Sequence, residues 1–271
     1  MHGIAHKMLV RLENPVQYEM LLNDDKIALN PLIGTLIKLK HTGRIFCIHC
    51  NKLIKKTYNQ GYCYPCFISL AASDLCIMKP ETCHYAAGTC REPSWGEAFC
   101  FQSHIVYLAN SSGIKVGITR RTQVPVRWLD QGATQALPIF QVVSRHVAGL
   151  IEVELAKHIS DKTNWQQMLK SHAAAIDLAA QRDILITKCN DSIESIAEPL
   201  GVNAVNFLAD ERAVEITFPI AEYPLKIKSL CFLKTPEITG TLLGIKGQYL
   251  LLDSGVINIR KYTGFELEFS A

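Results

Sequence analysis

Cys47-Ile-His-Cys50 and Cys63-Tyr-Pro-Cys66 are two Cys-x2-Cys pairs of identical spacing, joined by a twelve-residue loop rich in lysine and polar residues. Each pair can present two thiolates from one tight turn, and two such turns close a tetrahedron around one zinc ion. The ribbon-like order predicts a closed structural site at Cys47, Cys50, Cys63 and Cys66, against the alternatives of buried free thiols or a redox-active pair. Ten cysteines in 271 residues, eight of them between Cys47 and Cys100, argue for metal rather than disulfides. A second, less regular group offers six donors: Cys76, Cys83, His84, Cys90, Cys100 and His104. The preferred set for a second zinc is Cys83, Cys90, Cys100 and His104, because Cys100-x3-His104 brings two ligands together. Cys76 is the alternative to His104. Residues 47–103 are therefore expected to form a zinc-binding region with little core of its own, which metal binding staples by supplying folding free energy.

Residues 1–46 alternate in β fashion through Met8-Leu-Val-Arg-Leu-Glu13, Gln17-Tyr-Glu-Met-Leu-Leu22, Lys26-Ile-Ala-Leu29 and Gly34-Thr-Leu-Ile-Lys-Leu-Lys-His41, with turn residues between the runs. They predict a small antiparallel sheet. From His104 the pattern changes to a hairpin (His104–Ala109 and Ile114–Ile118 around Asn110-Ser-Ser-Gly113), a helix over Val124–Gln131, a strand from Pro138 to Ser144 and a helix from Ala148. Pro125 suits the first turn of the former helix and Gly132 its C-terminal cap. In the latter, Leu150, Ile151, Leu155 and Ile159 make one buried face, with Glu152, Glu154 and His158 also carried on it. A long helix over 164–188 and a short one over 192–200 extend this unit to residue 210. Strand-like runs at 213–218, 225–232, 238–243, 248–252, 256–259 and 265–269 predict a small β-barrel over 211–271. The fold class expected is α+β in four parts: 1–46, 47–103, 104–210 and 211–271.

In the central part, Ile105-Val106-Tyr107 stands where a Gly-Ile-Tyr run would be, and Lys115-Val116-Gly117 where a Tyr-Ile-Gly run would be. Here the chain resembles the GIY-YIG endonuclease superfamily. The resemblance implies hydrolysis of a phosphodiester, with Tyr107 orienting or activating water, Arg127 on the phosphate, Glu154 holding Mg²⁺ and Asn164 supporting the site. Lys115 replaces the second tyrosine, and could act as a cation near the phosphate or as a base if burial lowered its pKa. Gln131 sits about where many members have histidine or tyrosine. Glu152, two residues from Glu154 on a helix, is expected to point elsewhere. Further runs, Cys83-His-Tyr, Gly88-Thr-Cys-Arg-Glu-Pro93, Lys115–Arg120, Arg127–Ala133 and Asp161-Lys-Thr-Asn-Trp165, resemble the bacterial family catalogued as domain of unknown function 2797.

Lys115, Arg120, Arg121, Arg127 and Arg145 make the central part locally basic, and Trp128 and Trp165 could stack on bases or anchor the core. A net charge of +3 permits a nucleic-acid partner without requiring one. No run approaches the length needed to cross a bilayer, and no basic leader precedes an apolar run, so a cytoplasmic location without membrane partners is the default expectation. The reading is a zinc-stabilised nucleic-acid-binding protein, with Mg²⁺-dependent, structure-selective cleavage in view. A non-catalytic binding module and a zinc-stapled protein-interaction scaffold are the alternatives.

Overall fold

The computed structural model describes residues 1–159 and 164–271. The alternating N-terminal runs become β1 (His2–Ile4), β2 (Leu9–Arg11), β3 (Gln17–Leu22), β4 (Asp25–Ala28) and β5 (Leu36–Phe46). In β3, Tyr18, Met20 and Leu22 are buried while Gln17, Glu19 and Leu21 are partly covered, the period of two that a one-faced strand requires. β2, β3 and β4 form an antiparallel sheet whose tight turn places Asn23 at a positive φ of 52°. After β5 come β6 (Leu53–Ile54) and three short helices of the cysteine region, α1 (Tyr64–Ser69), α2 (Leu75–Met78) and α3 (Pro93–Phe99).

The central part runs β7 (His104–Asn110), β8 (Ile114–Arg120), α4 (Val126–Asp130), β9 (Gln135–Val142) and α5 (Arg145–Ala156), the element order expected from the sequence. β7 lies between β8 and β9. The helices after it differ from expectation: instead of one helix over 164–188 there are a short α6 (Trp165–Lys170) and a 20-residue α7 (Leu178–Ala197). The break has a tertiary cause. Asn110 Nδ2 donates to the Ala174 carbonyl (2.8 Å), Gln135 Nε2 donates to the Ile176 carbonyl (3.2 Å) and the Ile176 amide donates to Gln135 Oε1 (2.9 Å), so buried side chains take the backbone groups that a helix would have used. Asp177 then caps α7 by accepting from the Ala180 amide. Of the run Asp161–Trp165, only Asn164 and Trp165 lie within the described residues. β10 (Val205–Phe207) and β11 (Val214–Glu215) add to β9.

The last strands are β12 (Glu237–Lys246), β13 (Tyr249–Leu252), β14 (Gly255–Asn258) and β15 (Phe265–Ser270). They form no self-contained barrel. β5 sits between β12 and β15 in a sheet of order β1-β15-β5-β12-β13-β14, with β6 added to β5, so segments 1–46 and 211–271 are joined in one sheet. Residues 225–232, expected as a strand, make only an isolated bridge between Ser229 and Val256, and Leu225 is fully exposed. Among the described residues no helix is long and apolar enough to cross a membrane.

All seven residues of β7 are buried, and they feed two cores. Val106 and Leu108 pack with Ile151 and Leu155 of α5 and Leu185 and Ile193 of α7. Ile105, Tyr107 and Ala109 pack with Trp128 and Leu129 of α4 and with the strands of the terminal segments. Gln135 secures one edge of this arrangement, accepting also from Asn110 Nδ2 (2.9 Å) and donating to Glu215 Oε1 (2.8 Å). Gln135→Ala leaves several of these buried groups unpartnered, so it is expected to lower the unfolding free energy by about 1–3 kcal/mol in urea titrations. A variant within about 0.5 kcal/mol of the wild type would mean that water replaces these bonds at no cost.

Candidate functional site

The first cysteine cluster forms where β5 ends. The Cys47 amide donates to the Lys52 carbonyl and the Asn51 amide to the Cys47 carbonyl (2.9 Å each), closing a turn in which Asn51 takes a φ of +55°. β6 then returns alongside β5. Cys63 precedes the first turn of α1 and Cys66 lies within that helix, so the second pair is delivered by a helix start. The four sulfurs lie within 4.8 Å of one another, and Cys50 Sγ and Cys63 Sγ are 3.8 Å apart. Zinc–sulfur bonds of about 2.3 Å at the tetrahedral angle put sulfurs about 3.8 Å apart, whereas a disulfide needs about 2.05 Å. The cluster is therefore of the right size for one metal ion, and zinc is compatible with it. Burial opposes ionisation of Cys47, but backbone N–H groups of Cys50, Cys63 and His49 outweigh it and bring the thiol down to about 6. One of these bonds, from the Cys63 amide to Cys47 Sγ, is 3.2 Å long.

The second group is rearranged relative to the preferred set. Cys76, Cys83, Cys90 and Cys100 line one small cavity together with Asp74 and His84, and His104 is not part of it. Asp74, Cys76 and His84 have donor atoms within 4.8 Å of one another. Burial pushes Cys76 up to about 11, with the negative charges of Asp74, Cys83, Cys100 and Cys90 adding to the effect. His104 instead begins β7, where its Nδ1 donates to the Gln102 carbonyl at 2.7 Å. Its Nε2 is buried without a hydrogen bond, and burial, aided by the charges of Arg145 and Arg120, holds the ring neutral with a pKa of about 4.

The third cluster lies where β7, β8, α4 and α5 meet. Tyr107 on β7 pairs with Gly117 on β8, and a Cβ at position 117 would stand 2.7 Å from the phenol carbon and oxygen. Glycine is thus the residue that leaves the ring its place. The phenol donates to Gln131 Oε1 at the end of α4 (2.9 Å), and the Trp128 ring meets Tyr107 edge-on at 6.0 Å. Trp128 is a core residue, and Trp165 stacks on Tyr249 at 5.8 Å. Burial pushes the Tyr107 phenol up to about 12, opposed by Arg127 and reinforced by Glu152. Burial also pushes Lys115 down to about 8, with Arg127 lowering it further and Glu152 working against both. Arg127 also acts on Arg260, which Asp130 in turn offsets. Asp130 is held by Lys7 (3.0 Å) and Gln248 (2.8 Å) from the terminal segments.

Glu152, not Glu154, is the carboxylate whose charge reaches Tyr107 and Lys115. Both oxygens of Glu154 accept from Lys157 Nζ (2.6 and 2.7 Å), and its charge acts on Cys189 of α7. On a helix of about 100° per residue the two glutamates stand about 200° apart, on opposite flanks of the Ile151 and Leu155 stripe. Asn164 caps α6, accepting from the Gln166 and Gln167 amides at 3.1 Å. Of the basic residues, Arg120 lies over the Phe99 ring, Arg121 donates to Gln141, and Arg145 faces Cys100. Sequence reading missed Arg260, because it reaches the site from the far end of the chain.

The family described as "Protein of unknown function (DUF2797)" matches residues 34–267. The chain belongs to this family. Its match spans all three clusters, so the cysteine region and strands β5 and β12–β14 are parts of the family unit. No curated protein and no solved structure matches the chain.

The buried ammonium of Lys115 gives a pH test with a definite sign. The folded state penalises its charge and the unfolded chain does not, so Lys115 reduces stability below about pH 8, and the penalty fades as pH rises toward the ordinary value of 10.5. Wild type is therefore expected to gain unfolding free energy relative to Lys115→Met between these limits, measured by denaturation at stepped pH. A difference that stays flat across this range would show that Lys115 titrates normally.

Proposed function

We propose that this chain is a zinc-stabilised nucleic-acid-binding protein that hydrolyses a phosphodiester at the cluster of Tyr107, Lys115, Arg127 and Glu152. The observation that carries the reading is this convergence of a tyrosine, two cations and a carboxylate from four elements into one electrostatic neighbourhood. The hairpin, helix, strand, helix order and the resemblance of Ile105-Val-Tyr107 and Lys115-Val-Gly117 to the GIY-YIG motifs support it. The zinc belongs to Cys47, Cys50, Cys63 and Cys66.

Arg127 is half-buried and binds the scissile phosphate, for which its planar fork suits two oxygens at once. Tyr107 is fully buried and too weak an acid to lose its proton near neutrality, so it positions Gln131 and Arg127 rather than acting as base. Lys115, whose pKa of about 8 leaves a fraction as the neutral amine near neutrality, takes the proton from water in that form and becomes the second cation beside the phosphate. Glu152 suits Mg²⁺, an ion that binds through one carboxylate with waters and substrate phosphate completing its shell, because its charge reaches Tyr107 and Lys115 and that of Glu154 is not among those that do. Such an ion supplies charge stabilisation for the leaving oxygen.

The complete burial of Tyr107 favours a second reading, phosphate binding without cleavage. A labelled panel of single-stranded, duplex and branched oligonucleotides with Mg²⁺ or Mn²⁺ separates the two. Wild type is expected to cut at least one substrate, and EDTA to stop it. Glu152→Ala is expected to lose about 10²–10³ in rate at unchanged circular dichroism, and Glu154→Ala to cut nearly as wild type. Binding at low salt without cleavage would leave the binding reading. No binding to any substrate would remove both and favour the scaffold.

A further inference from the structure

Residues 55–103 pack aromatic side chains in local pairs, Tyr58 with Tyr64 and Phe67, Tyr85 with Phe101 and Trp95 with Phe99, outside the main cores. Among the described residues, none between Lys55 and Ser103 belongs to any of the three hydrophobic clusters, and Tyr64, Ile68, Leu75, Met78 and Phe101 are exposed. Helices of four, six and seven residues are far too short to persist by propensity alone. The first cysteine cluster fixes only the beginning of this segment. Residues 70–103 are otherwise tied by polar contacts, such as the Ala71 amide donating to Glu92 Oε2 (2.6 Å), and by buried Pro80 beside Gly149 of α5.

Four thiols from four separate pieces of that stretch line one cavity, in which the donor atoms that lie within 4.8 Å of one another are those of Asp74, Cys76 and His84. Cys76 lies within α2, Cys83 follows the 3-10 turn Pro80–Thr82, Cys90 lies in the loop before α3, and Cys100 ends α3, its amide donating to the Gly96 carbonyl at 2.7 Å. The cavity that they line has a volume of about 20 Å³, enough for a single water-sized body. All four are free thiols, so no disulfide accounts for their grouping. Gly96 borders them: a Cβ there would stand 3.3 Å from the Tyr85 ring and in ordinary contact, at 3.5 Å, with Cys90 Sγ. We propose that Cys76, Cys83, Cys90 and Cys100 hold a second zinc ion in this cavity, a four-thiolate structural site.

The other donors nearby already have partners. Asp74 Oδ2 accepts from Arg91 Nε at 2.8 Å and its Oδ1 accepts from the Leu75 amide at 2.5 Å, capping α2. His84 Nδ1 bonds Thr89 Oγ1 at 2.8 Å, and its Nε2 stands 3.5 Å from Asp74. Together they brace the chain around the thiols. The site also bears on α5: the Arg145 amide donates to the Cys100 carbonyl (2.8 Å), and a Cβ at Gly149 would meet Pro80 at 2.5 Å. The ion thus fixes the wall against which the helix of Glu152 rests. A second zinc in this cavity is independent of any nuclease activity.

The test is zinc content by elemental analysis and native mass spectrometry of the full chain, purified without added metal. Cys76→Ser and Cys90→Ser are each expected to carry one ion fewer than wild type, and His104→Ala the same number. Equal zinc in wild type and Cys90→Ser overturns the site, whatever the first cluster holds. Loss of an ion in His104→Ala, with Cys76→Ser unchanged, overturns the ligand set. Where a serine variant is not recovered folded, cobalt(II) titration of metal-stripped wild type decides. Thiolate-to-cobalt absorption is expected to rise to two equivalents, and a plateau at one overturns the proposal.

Discussion

The burial of β7 on both faces is the constraint from which the rest follows. A strand covered on one side only can shift or twist with little consequence, but here each alternate residue is committed to a different core. A slip of one residue would put Val106 and Leu108 against α4 and turn Tyr107 toward α5 and α7. The pairing of Tyr107 with Gly117 is fixed by that register, and the ring occupies the volume that a side chain on Gly117 would need. From there the phenol reaches Gln131, and Gln131 terminates α4 one residue before Gly132 turns the chain at a φ of +68°. The position of Arg127 is therefore a consequence of strand register, transmitted through one hydrogen bond and one aromatic contact.

Burying cations in such a place needs compensation. Lys115 has it in Glu152, and the mutual repulsion of Lys115 and Arg127 is what the carboxylate offsets. A second buried lysine, Lys246 on β12, is held differently. Its ammonium lies 5.7 Å from the centres of the Phe218 and Tyr223 rings and donates to the Ser171 carbonyl at 3.4 Å, and burial brings it down to about 8. Aromatic faces and one carbonyl attract a cation less than a carboxylate does, yet they involve no second charge to desolvate. The contrast separates the two lysines by purpose. Lys246 ties β12 to the segment after α6, whereas Lys115 belongs to a charged ensemble with Arg127 and Glu152.

Local signals carried much of this into the sequence. Spacing alone marked Cys47, Cys50, Cys63 and Cys66, since a Cys-x2-Cys turn is built from contiguous residues. The hairpin, α4 and β9 were legible because turn residues and periodicity lie within each element. Glu152 was not, because periodicity identifies the buried stripe of α5 but not which flank meets the hairpin. The break between α6 and α7 was hidden for a related reason: Ser171–Ile176 has ordinary helix-forming alanines, and only Asn110 and Gln135, distant in sequence, claim its backbone. β5 shows the limit most plainly. Its alternation is the same whether its neighbours come from residues 1–46 or, as they do, from the other end of the chain.

The joining of the chain ends in one sheet also explains how a coreless cysteine region can sit beside a rigid central part. β5 and β15 fix its entry, for the Phe46 amide donates to the Gly264 carbonyl at 2.7 Å immediately before Cys47. β7 and α5 fix its exit through Cys100, Ser103 and Arg145: the Arg121 amide donates to the Ser103 carbonyl at 2.9 Å, and the Arg145 amide to that of Cys100. A segment tethered at both ends loses less conformational entropy on ordering than a free tail of the same length, because its ends are already held in place. What remains to be ordered is local, a set of turns each a few residues long. Thiolate–metal bonds suit this need, since one ion links turns that are too short to share a hydrophobic core. Any looseness in those turns would pass through Pro80 and Cys100 into α5, and so to Glu152, which makes the rigidity of the cysteine region a condition for the geometry of the charged cluster.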